Sequence, residues 1–233
     1  MNPTSGVISE AWDLYKAHWQ HLLTFSFVVY VAVALISALL GAVLDLWLAA
    51  LLSAVVSLFA FFWLQAALVK AVDDVRDGRA DLSLQETFDQ ARAQLPSVAV
   101  AAILAGLGIV IGLILLIVPG LVLLTWWAVI IPVVVLEHKR AGESFSRSRE
   151  LVRGYAWGVF GVIVLVVLLL IGFNIVLSII LTPLADWLQS FLSQFISGTL
   201  TAPFTAIVLT LLYFRLRAVK ETPAPPPPPP TPA

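Results

Sequence analysis

The chain has no cysteine and little charge: among 233 residues, Asp, Glu, Lys and Arg make up 12%, against 61% hydrophobic. The missing cysteine excludes disulfides, Cys-ligated zinc, iron–sulfur clusters and a thiol nucleophile. The scarce charge excludes a soluble globule, because soluble domains are ~25% charged and this chain cannot hide its apolar side chains in one interior. A disordered chain and a small disulfide-rich secreted domain fall with it. The net charge of −1 offers nucleic acid no electrostatic footprint. No Ser-His-Asp order, HExxH, P-loop or GxGxxG pattern is present. What remains is an integral membrane protein whose environment is the lipid bilayer.

Mean hydropathy is +1.01, and the apolar residues fall in long charge-free stretches at 17–44, 46–69, 93–136, 154–185 and 187–214. About 20 helical residues cross a ~30 Å hydrocarbon core. The 44-residue stretch at 93–136 is therefore two spans, and Pro119-Gly120 within it reads as the hairpin turn between them. The expected spans are 22–43, 47–69, 97–118, 121–137, 156–181 and 195–215, the fourth being short. Glu10, Asp13 and Lys16 precede the first span without a short apolar core and small-residue cleavage site, so that span is expected to stay in the mature protein.

With six spans all 13 Lys and Arg fall on one side, and the opposite loops carry only Asp45 and Asp186. The positive-inside rule makes that basic side cytoplasmic and places both termini there, in a bacterial inner membrane. Trp47 and Trp187 then lie at the outer interface, and Trp12, Trp19 and Trp157 near the inner one.

Three basic-side segments align. Glu10-Ala11-Trp12 with Lys16 matches Glu86-Thr87-Phe88 with Arg92 and Glu143-Ser144-Phe145 with Arg149. Apolar positions near each recur at steps of 4, 3, 4 and 3, which draws one stripe along a helix. The expected fold is all-α: six transmembrane helices in three hairpins, each preceded by a cytoplasmic amphipathic surface helix. The units are about 4–72, 82–137 and 139–218, packed around a common centre as repeats that cannot bury their faces alone. Trp12, Trp19, Phe88 and Phe145 are the expected surface anchors. Residues 221–233 form a disordered proline-rich tail, with six consecutive prolines at 225–230, that serves as a spacer or docks an aromatic groove.

The span cores hold no Asp, Glu, Lys, Arg or His, which argues against a proton-coupled pump or an ion transporter. Their mild polar residues, among them Thr125, Asn174, Thr201, Thr205 and Thr210, are expected to bridge helices. Pro132 and Pro203 suit a packing bend or a gate. Gly106, Gly108 and Gly112 read as close helix contact. His18 and His21 share a helical face but lack a third metal ligand, and Asp73, Asp77 and Asp81 read as a solvated face rather than a calcium loop. No metal or cofactor is expected. Lys139, Arg140, Arg147, Arg149 and Arg153 form the densest basic patch. It could hold anionic phospholipid, or simply satisfy the positive-inside rule.

The stretch Ile117-Val118-Pro119-Gly120-Leu121, then Trp126-Trp127, Pro132, Glu137 and the run Glu143 to Gly154, resembles the membrane domain attached to some bacterial glycerophosphoryl diester phosphodiesterases, and the related YciC-like multi-span families. The match is best over about 95–165. Those enzymes add a soluble barrel with catalytic Glu, Asp and His, which this sequence does not contain, so the resemblance implies a membrane domain without the hydrolase and carries over no catalytic residue. The leading expectation is a non-enzymatic protein that scaffolds or regulates a membrane partner or its own oligomer. The second is a carrier of lipid or hydrophobic solute.

Overall fold

A computed structural model describes residues 2–76 and 83–221, with the side chains of Asp186, Trp187 and Ser190 left out. Asp77, Asp81 and the proline-rich segment 222–233 lie outside the described residues, as does the side chain of Trp187. The described residues form eight helices and no strand: α1 (Val7–Val43), α2 (Leu46–Val75), α3 (Leu84–Leu115), α4 (Ile117–Trp126), α5 (Ile130–Glu137), α6 (Ala141–Val152), α7 (Ala156–Leu181) and α8 (Asp186–Glu221). Six of the resulting helical segments, with α4 and α5 taken together, are long and apolar enough to cross a membrane.

The three aligned segments join their spans in different ways. α1 joins the first of them to its span across a kink: two helical segments meet at His18, which leaves helical geometry at φ −123° and ψ 23°. Its 37 residues amount to ~55 Å of helix counted over both segments, more than a ~30 Å core needs. α3 likewise starts at a capping box, with Ser83 and Glu86 satisfying each other's backbone N–H groups, and continues through Pro96. The third segment is a helix of its own, α6. Arg153 ends it, and Gly154 at φ +92° turns the chain into α7, a conformation that glycine adopts without a Cβ clash.

The expected turn at Pro119-Gly120 is also displaced. The chain reverses at Leu116, whose backbone is extended, while Pro119 and Gly120 belong to the first turns of α4. Proline fits there because a first-turn N–H has no helical partner to lose. Gly120 serves packing instead: its backbone approaches Gly112 of α3, and a Cβ on it would collide with the Leu113 backbone. Gly108 makes room for the Trp127 ring, whereas Gly106 faces open space.

Helices α2, α5 and α8 touch one another at the centre. The remaining spans pack in sequence around them: α1 on α2 and α8, α3 on α2 and on α4–α5, and α7 on α8 and α4. Ala11, Thr87 and Ser144, the small residues of the three aligned segments, are all fully buried. Four of the mild polar residues do not bridge helices. Thr125, Asn174, Thr201 and Thr205 each donate to the carbonyl four residues back in their own helix, the local bond open to short polar side chains where water is absent.

Candidate functional site at the basic end

The densest chemistry lies where α5, α6 and α8 end together. Glu137 closes α5 and is nearly buried, with a side-chain exposure of 10%. Arg147 Nε, from the middle of α6, donates to both of its carboxylate oxygens at 3.0 Å. The same guanidinium reaches Glu150 at 3.3 Å and Glu221 at the end of α8. Glu221 also accepts from Arg217 Nε at 2.7 Å. Arg217 Nη1 donates to the Tyr213 hydroxyl at 3.2 Å, which donates to Glu137 at 3.1 Å. Glu137, Arg147, Glu221, Arg217 and Tyr213 therefore close a ring that ties three helices together. Burial alone would lower the affinity of Arg147 for its proton, but the bonds to Glu137, Glu221 and Glu150 outweigh it and hold that affinity above the ordinary range. Arg147 is a permanent cation.

A second feature adjoins the ring. Residues 127–129 interrupt the helix between α4 and α5, and Ile130 N donates to Trp127 O rather than one residue earlier. The freed Trp126 carbonyl accepts from Ser148 Oγ of α6 at 2.8 Å. Irregular backbone at this depth persists only where a neighbour completes it. Pro132 sits in the first turn of α5, where its absent N–H is no loss. On the other side of α5, His138 takes a left-handed conformation at φ 52°, and its Nδ1 lies 2.8 Å from Gln94 Nε2 of α3.

The five basic candidates consequently divide. Arg147 belongs to the ring, where its guanidinium is paired with Glu137, Glu150 and Glu221. Lys139 lies 3.9 Å from Glu137. Arg140, Arg149 and Arg153 are exposed and have no carboxylate partner among the described residues. Arg149 rests on the Trp126 ring at 4.1 Å, and Arg153 lies four residues before the strongly exposed Trp157. Sequence spacing groups all five; only the position of Glu137 across a turn separates the bound arginine from the exposed ones.

The aromatic candidates divide as well. Trp12 and Trp19 are exposed, as side chains facing a bilayer interface would be. Phe88 instead packs edge-on between Phe25 and Trp63, at 5.5 and 5.2 Å, and Phe145 packs on Trp127 at 4.9 Å. These two phenylalanines hold helices together rather than anchoring them to the bilayer, because α3 and α6 turn their apolar stripes to protein neighbours. Among the described residues no group of three or more His, Asp or Glu is placed to hold a metal ion.

Three apolar clefts open along the spans. One of about 710 Å³ lies between α1, α7 and α8, one of about 910 Å³ between α1, α2 and α8, and one of about 250 Å³ beside the α4–α5 interruption. Comparison with known proteins returned no matching family model, no matching curated protein and no matching solved structure.

Proposed function

We propose that this chain handles phospholipid as a non-enzymatic six-span protein of a bacterial inner membrane, with its basic end cytoplasmic and with anionic headgroups as its polar ligand. The observation that carries this reading is the split within the basic patch: Arg147 is satisfied by carboxylates, whereas Arg140, Arg149 and Arg153 are exposed without one among the described residues. Exposed arginines, one of them resting on Trp126, match the chemistry of a phosphate headgroup at a membrane interface. The apolar clefts along the spans match the chains attached to it. On this reading the chain is built from three hairpin units, and the resemblance to the phosphodiesterase membrane domains reflects shared architecture without shared hydrolysis.

The test is exchange of a fluorescent phosphatidylglycerol between vesicles containing the purified protein. Acceleration over protein-free vesicles is expected, and it should fall when Arg140, Arg149 and Arg153 are changed together to Gln. No acceleration by folded protein would overturn the reading.

A second reading, a scaffold for another membrane protein or a second copy, is favoured by one feature. Glu221, the residue before the proline-rich sequence, is held by both Arg147 and Arg217, so the end of α8 is fixed on the bundle. Native mass spectrometry of gently extracted protein distinguishes the two: co-purifying polypeptide supports the scaffold, stoichiometric phospholipid alone supports lipid handling.

A further inference from the structure

The 710 Å³ cleft between α1, α7 and α8 has a simple chemistry. Its hydroxyl side chains are already satisfied from within the protein. Ser9 Oγ donates to Gly6 O at 2.9 Å, Thr201 Oγ1 to Ser197 O at 2.7 Å, and the Tyr15 hydroxyl reaches across to Leu200 O at 3.2 Å. The lining therefore presents hydrocarbon and ring faces and no hydroxyl waiting for a partner. A polar solute would lose its water here and gain nothing in return. The 910 Å³ cleft contrasts with it, since Tyr30, Ser37, Ser57 and Gln194 line that space.

One wall is rigid. Trp12 and Tyr15 stack with ring centroids 6.0 Å apart, and both meet Phe204 of α8 edge-on, at 6.2 and 6.1 Å. Leu169 and Phe173 of α7 form the opposite wall. The cleft is continuous with the lipid-facing surface, because Trp12 and Leu169 at its margins are about half exposed. Bilayer hydrocarbon is therefore what meets it. Trp12 sits at the mouth, on the helix that enters from the basic side, and its indole N–H has no hydrogen-bond partner among the described residues. Tryptophan favours such a place, with one edge apolar and the other toward ester and headgroup.

From this geometry we infer that the cleft seats one acyl chain of a glycerophospholipid from the leaflet on the basic side, with the Trp12 N–H donating to its ester carbonyl. The inference rests on the lipid-handling reading and assigns it a chain-binding site separate from the arginines.

The test uses the full protein in phosphatidylglycerol vesicles doped with a phospholipid carrying a diazirine on its acyl chain, with labelled peptides mapped after illumination. Labelling of α1 within 8–15 and of α7 within 169–173 should exceed that of the exposed α2 face at 46–61 severalfold. Thr201→Trp should fill the cleft and lower the labelling there severalfold while leaving the α2 face unchanged; Leu169→Trp, a substitution at an exposed rim position, serves if the first variant does not fold. Even labelling of all exposed faces, or labelling undiminished in a folded filled variant, would overturn the site. Focused labelling without vesicle exchange keeps the cleft and removes the exchange reading, and exchange without focused labelling does the reverse.

Discussion

The two ends of the bundle are built on different physics. At the basic end, α5, α6 and α8 are joined by the charge ring, α1 is joined to α8 by Glu10 and Arg215, and Arg76 of α2 lies over the Phe214 ring at 3.7 Å. At the opposite end the helix tips expose Leu39, Val43, Leu46, Trp47 and the run Ile114–Val118. Among the described residues no ion pair occurs there, and Asp45 only caps α2 by accepting from Leu48 N at 3.1 Å. Directional bonds fix one end in a single geometry, while shape and the surrounding lipid hold the other. Substitution should therefore be costly at one end and largely free at the other.

The largest effect is expected from Arg147→Ala. It leaves Glu137 nearly buried with Tyr213 and distant Lys139 as its remaining partners, and breaking a buried pair in this way costs about 3–5 kcal/mol. Chemical denaturation in detergent should show it. A loss below about 1 kcal/mol, the value of an exposed pair, would erase the contrast between the ends. Next comes Gly120→Leu, chosen because it should break the simple rule. Although Gly120 lies near the lipid-held tip, its backbone lies directly against α3, so added bulk should cost about 1–3 kcal/mol by overpacking. Thermal unfolding followed by size-exclusion chromatography reads this. The smallest effect is expected from Leu39→Ala and Leu46→Ala, which project away from the protein. In the same thermal assay each should stay within about 0.5 kcal/mol; a larger loss would mean that these tips pack on protein rather than lipid.

Much of this contrast is legible in the sequence, but not all. The six spans follow from charge-free stretches, because exclusion of charge from hydrocarbon is strong and local. The turn near Pro119-Gly120 is misplaced because two local preferences compete. The dipeptide favours a turn in isolation, yet proline is equally at home in a first helical turn, and glycine is needed where α4 crosses α3. Arg147 is indistinguishable from Arg149 and Arg153 by spacing. Its different role depends on Glu137 and Glu221, 10 and 74 residues away, brought together only by packing. Ser148 carries no sequence signal at all, since its partner is a backbone carbonyl exposed by a helix interruption.

The pairing of α1 with α8 also bears on how the molecule is made. Tyr15 meets Leu200 across 185 residues of chain, and Glu10 meets Arg215 across 205. α1 thus packs on α2, which follows it directly, and on α8, which lies far along the chain. Pairings so distant along the chain close slowly, because the loop must be ordered before they reward it. The α1–α2 contact can form between consecutive helices, whereas the α1–α8 contact closes the bundle only once α8 is in place.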